Sequence, residues 1–190
     1  ASQYYMACYR SFPNSTYSES CLYWSGKSLF LDTPDPRLDA TSTNNAIIQL
    51  QRFVETYPAS KYRSDAEKMI YTMYDRLVEK EIGTAELYYN MGNYLGNNYR
   101  SSIIVAQNAL RDYPYTKYRE KLSLLVLKAK FQMAQESVLE KRDDRYRDAI
   151  DEYYAFKNEF PESEHMKEAD RIFRISTKNL GNKNQIIEED

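Results

Sequence analysis

Glycine and proline are scarce in this chain, with 5 and 6 among 190 residues. Turns between strands lean on those residues, so their shortage, beside 28% charged residues, suits helices. There is one histidine, His165, and neither a glycine-rich phosphate loop nor a His-Glu-x-x-His helix. The usual constellations for hydrolysis, nucleotide binding or metal chemistry are therefore missing, and no catalytic, cofactor or metal residue is proposed. No apolar run approaches the 18 or so residues of a membrane span, and no signal-peptide pattern is visible. A net charge of −2 offers no general attraction for nucleic acid. The two cysteines, Cys8 and Cys21, have no metal-ligand spacing and flank the turn at Pro13–Asn14. Free cysteine's preference for burial favours two buried thiols, while a cross-helix disulfide is geometrically open.

Tyrosine is abundant instead, at 19 residues. Its apolar body and polar tip suit thin, half-buried layers and interaction surfaces. A second pattern is a fourfold recurrence: "SFPNSTYSES", "TYPASKYRSD", "DYPYTKYREK" and "EFPESEHMKE". Aligned on Pro13, Pro58, Pro114 and Pro161, the preceding residue is always aromatic: Phe12, Tyr57, Tyr113 and Phe160. Two residues on stand Ser15, Ser60, Thr116 and Ser163, and four on stand Tyr17, Tyr62, Tyr118 and His165. Five before the proline come Cys8, Phe53, Ala109 and Phe156, and twelve before come the small residues Ala1, Ala46, Ser102 and Ala149.

Proline ends a helix and drives the residue before it out of the α region. The Ser/Thr oxygen is then expected to cap the next helix. Downstream, Tyr62, Ala66, Met69, Ile70 and Met73 share one helical face, as do Tyr118, Leu122, Leu125, Val126 and Ala129. A helix pair closed by proline, with a small residue twelve positions earlier, is the tetratricopeptide repeat (TPR) pattern. Pro13 to Pro58 is 45 residues, Pro58 to Pro114 is 56 and Pro114 to Pro161 is 47, all longer than the usual 34 or so. The extra length is read as a Pro/Asp-rich loop at 31–43, a charged loop at 140–147, and a very long helix from 60 to 95, single or broken near Gly83. The expectation is an all-α, right-handed α-solenoid of TPR-like repeats over 1–180, with an acidic, disordered tail at 181–190. Helices are expected at 1–12, 15–31, 41–57, 60–95, 98–113, 116–139, 145–160 and 163–179. Ala1 holds the small-residue place of a second helix, so further repeat sequence is expected upstream.

His165 replaces a repeat tyrosine and reads as a packing residue at a helix start. Acid pairs such as Asp143–Asp144 lie in solvated charge runs. Trp24 is placed on an inner stripe with Tyr17, Cys21 and Ser28. In "LYYNMGNYLGNNY", Tyr88, Tyr89, Tyr94 and Tyr99 crowd together as the candidate groove or partner surface.

Read in order, "FPNSTYSE", "DTPDPRLDATSTNNAIIQLQRFVETYPASKY", "RLVEKEIGTAELYYNMGNY", "SIIVAQNALRDYPYTKYRE" and "YYAFKNEFPESEHMKEA" resemble the BamD family. These are TPR lipoproteins of the outer-membrane β-barrel assembly machinery. The resemblance implies a periplasmic, non-enzymatic scaffold on the outer membrane, tethered by a lipidated cysteine upstream of this chain. It implies binding to the POTRA domains of a BamA-like barrel subunit, to other lipoproteins of the complex, and to nascent outer-membrane proteins as candidates. Neither Cys8 nor Cys21 has a lipoprotein signal context. The competing reading is another periplasmic TPR adaptor for envelope coordination or peptide binding. Upstream sequence separates the two: a lipobox cysteine supports the first and a coiled-coil segment the second.

Overall fold

The computed structural model describes residues 1–36 and 38–186, with side chains described through Leu180. Eight α-helices and no strand occur among the described residues. They are α1 (Ser2–Ser11), α2 (Ser18–Leu31), α3 (Thr41–Thr56), α4 (Arg63–Met91), α5 (Asn98–Asp112), α6 (Arg119–Gln135), α7 (Leu139–Glu159) and α8 (Met166–Ile186). The chain divides into two compact units, Ala1–Lys80 and Glu81 onward, where one array was expected.

The four proline turns explain the helix boundaries. Each aromatic residue before proline leaves the α region at nearly one conformation: Phe12 at φ −134° and ψ 61°, Tyr57 at −126° and 64°, Tyr113 at −128° and 65°, Phe160 at −128° and 60°. Its N–H still bonds back to the carbonyl four residues earlier, so the helix is satisfied up to the proline. Its own carbonyl then accepts the N–H of the Ser/Thr at 3.0–3.2 Å. The hydroxyl oxygen of that Ser/Thr accepts the N–H two residues on, at Tyr17, Tyr62, Tyr118 and His165 (3.0–3.3 Å). This corrects the expected N-caps. Ser15, Ser60, Thr116 and Ser163 cap a single tight turn, and the α-helices begin three residues later than expected, at 18, 63, 119 and 166. In three copies an i to i+3 bond from the Ser carbonyl closes that turn, to Ser18, Arg63 and Met166.

Three further expectations change. The charged stretch 140–147 is helix rather than loop, because α7 begins at Leu139, leaves Glu140, Lys141, Asp144 and Arg147 exposed, and turns Arg142 and Arg145 back onto the carbonyls of Ser137 and Met133. The 60–95 segment is one helix through Gly83, ending at Met91 rather than 95. Trp24 is 40% exposed and Tyr17 71% exposed, while the neighbouring Tyr23 is buried, so the stripe drawn through Trp24 is one residue out of register. Helix α8 runs on through Ile186, and residues 187–190 of the expected tail lie outside the described residues.

In the first unit, Leu22, Tyr23, Ala46, Leu50, Phe53, Ala66 and Met73 form the core. Gly26 of α2 faces α3 so closely that a Cβ there would meet Leu50 Cδ2 at 2.6 Å. In the second unit α6 is buried from Leu122 through Leu127 without a break. An all-round apolar helix is a central one, and α6 packs against α5, α7 and α8. Phe53 and Phe156, five residues before their prolines, are 0% and 1% exposed. The small residues Ala46, Ser102 and Ala149 are fully buried, and Ser102 Oγ donates to the Ala85 carbonyl at 2.8 Å.

Candidate partner-binding surface

The tyrosine-rich stretch spans the end of α4, a six-residue turn and the start of α5, all in the second unit. Gly92 turns the chain at φ +55°, a conformation that costs glycine little. Its missing side chain also makes room, since a Cβ would lie 2.9 Å from the Tyr99 hydroxyl. Gly96, at φ +146°, ends the turn, and Asn97 Oδ1 accepts the Arg100 N–H at 3.2 Å to cap α5. Between the glycines, Leu95 sits at φ +55°, where an ordinary side chain is strained by about 1 kcal/mol or more. It is 88% exposed, so no packing within the chain rewards that conformation.

The four tyrosines separate. Tyr99 is buried, with its ring edge-on to Tyr89 at 5.8 Å and its hydroxyl donating to Glu136 Oε1 at 2.7 Å. Burial, reinforced by the Glu136 acceptor, pushes the Tyr99 phenol up to about 12. Tyr88 is half-buried, and Tyr94 is 69% exposed on the turn. Tyr89 borders a cleft of about 90 Å³ with Lys128, Phe131, Glu168, Arg171 and Ile172. Phe131 and Ile172 give it an apolar floor. Lys128 stands over the Tyr89 ring at 5.9 Å and pairs with Glu168 at 2.9 Å, giving it a charged rim.

Sequence reasoning missed the second part of this surface. Glu136, at the end of α6, accepts Asn93 Nδ2 at 2.7 Å as well as Tyr99, so the 92–97 turn and the α6–α7 turn lie side by side. The latter turn ends on Val138, and Leu139 opens α7; they are 62% and 65% exposed. One end of the unit therefore presents Tyr94, Leu95, Val138 and Leu139 to solvent. The glycine pair in "GNYLG" was the available signal for the first turn; nothing local marks its pairing with residues 40 positions on. Among the described residues no group of three or more His, Cys, Asp or Glu is placed to hold a metal ion, and no helix is long and apolar enough to cross a membrane.

Comparison with known proteins gives one family. The model of YfiO, described as an outer membrane lipoprotein, matches residues 3–143, a span that includes three of the four proline turns, α4 and the 92–97 turn. No curated protein matches the chain.

Proposed function

Since the chain belongs to the YfiO family of outer membrane lipoproteins, the family its sequence resembles as BamD, we propose that it is a non-enzymatic scaffold of β-barrel assembly. It binds the POTRA domains of the barrel-forming subunit at the periplasmic face of the outer membrane, held there by a lipid anchor upstream of residue 1. The Tyr94–Leu95 end of the second unit is the contact. One observation carries this: an apolar side chain is held almost wholly in water by a backbone conformation that disfavours it. A residue that is costly in the free protein and unpacked there is supported by what it does with a partner. Tyr89 and the cleft beside it offer an apolar floor with a charged rim for a side chain of an extended segment, which supports a second role in receiving unfolded outer-membrane proteins.

The test is direct binding of the cognate POTRA domains to the full chain and to a Tyr94→Ser/Leu95→Asn variant. The expected result is a Kd raised tenfold or more, with helicity retained. Equal affinity would remove this surface from the interface, and no binding by the unchanged chain would remove the partner.

A further inference from the structure

We propose that Cys8 and Cys21 form a modification site, a dithiol pair that oxidises to an intramolecular disulfide and staples α1 to α2. The two Sγ atoms are 2.9 Å apart, with the Cys21 thiol donating to Cys8 Sγ. Bonded sulfurs lie about 2.0 Å apart, so closure asks for under about 1 Å of approach. The helices are already fixed against each other nearby. Ser2 Oγ meets Ser25 Oγ at 3.0 Å, and Ser25 Oγ donates to the Ser2 carbonyl at 3.2 Å. No acid or histidine joins the sulfurs in a group able to hold a metal, among the described residues. The staple would anchor a lightly buried helix, since Met6 is the one buried residue of α1 among the described residues.

The chemistry needs an oxidant, and a low-molecular-weight disulfide, RSSR, is sufficient. Cys8 is half-buried and Cys21 buried, so solvent reaches Cys8 first. The Cys8 thiolate attacks one sulfur of RSSR, forming a Cys8–SR bond and releasing RS⁻. Cys21 then attacks Cys8 Sγ, forming the Cys8–Cys21 bond and releasing the second RS⁻. Two thiol protons pass to the two RS⁻, and two electrons pass from the pair to the oxidant. Burial first, then the bond to Cys8 and the charge of Cys8, push the Cys21 thiol up to about 11. Capping Cys8 removes its charge from beside Cys21, while burial, the largest of the three causes, remains. Such crosslinks persist in oxidising compartments. The inference is independent of the partner reading above.

The experiment treats the purified, reduced chain with oxidised glutathione, blocks remaining thiols with iodoacetamide, and measures intact mass and melting temperature. The expected product is a monomer that has lost two hydrogens, takes up no iodoacetamide, and melts about 5 °C or more above the same sample after dithiothreitol. Cys21→Ser should carry one glutathione at Cys8, whereas Cys8→Ser should leave Cys21 unmodified. Two alkylated thiols after oxidation, interchain dimers alone, or a crosslink without a rise in melting temperature would each overturn the proposal. The mass readout uses the unaltered chain, so a variant that fails to fold does not obscure it.

Discussion

In the first unit Tyr23 stacks on Tyr62 at 4.4 Å, donates its hydroxyl to Asp65, and receives Lys27 Nζ at 2.9 Å. In the second, Tyr153 stacks on Phe173 at 4.5 Å, donates to Asp170 at 2.7 Å, and receives Lys157 Nζ at 3.2 Å. Each lysine is four residues after its tyrosine, one helical turn away. Yet Tyr23 lies ten residues after its proline and Tyr153 eight before its own, so the trios are not copies of one repeat position. The first joins α2 to α4, the first helices of successive repeats; the second joins α7 to α8, across the proline turn that closes a repeat. What repeats strictly in this chain is the turn. The tyrosine trios are separate answers to one requirement, that a buried phenol find an acceptor.

The comparison breaks hardest at the positions that do repeat. Phe53→Ala and Phe156→Ala each empty a fully enclosed aromatic site and should each cost about 3–5 kcal/mol. Chemical denaturation of the two variants should show similar losses; under about 1 kcal/mol at either would mean the repeats are not equivalent inside.

Alkaline pH should distinguish the units next. Burial raises Tyr99, Tyr146 and Tyr153 in the second unit, against Tyr23 alone in the first. For Tyr99 the folded value, about 12, exceeds the usual 10. Its stabilisation is thus complete below pH 10 and disappears as pH rises through 12, a change on the order of 2 kcal/mol. Tyr99→Phe should flatten that part of the stability curve.

Acid pH acts on the first trio. The Tyr23 hydroxyl, against opposing burial and aided by Lys27, holds the Asp65 carboxyl below its usual range. A lowered carboxyl stabilises the fold above its unfolded value near pH 4, and the contribution fades as pH falls through the folded value. Tyr23→Phe should cost about 1–2 kcal/mol at pH 7 and less at pH 3. An equal cost at both would show that the phenol acts by packing alone.

The smallest effects belong to the turns. Ser60 Oγ donates to Glu19 Oε1 and Ser163 Oγ to Glu120 Oε1, both at 2.5 Å, so each second turn of a pair is tied to the turn before it. Ser60→Ala and Ser163→Ala should each cost about 1 kcal/mol, measured as shifts in denaturation midpoint. Markedly different costs would show that the two ties are not the same device.

The all-helical class, the eight helices and their turns were legible because proline and the aromatic before it act locally. The faces Tyr62–Met73 and Tyr118–Ala129 were legible through their period. The choice of Tyr23 over Trp24 for the interior was not, since both fit a helical stripe within one residue and the contacts that decide, with Phe53, Tyr62 and Asp65, come from other helices far along the chain. The helix starts were displaced by three residues because a serine that caps a tight turn has the same local pattern as one that caps an α-helix. The candidate surface was half legible. The clustering of Tyr88, Tyr89, Tyr94 and Tyr99 about one turn was visible in the sequence, but the burial of Tyr99 and the nearness of Val138 depend on how α6 ends beside α5.

The backbone at Leu95 has a consequence for anyone who evolves or redesigns this chain. Glycine or asparagine there would relieve the strained backbone, so variants chosen for heat tolerance should accumulate at that codon. A selection for durability alone would then erode the very side chain proposed to meet a partner. Enrichment maps gathered under two pressures, survival on heating and growth that depends on envelope assembly, should pull this one position in opposite directions.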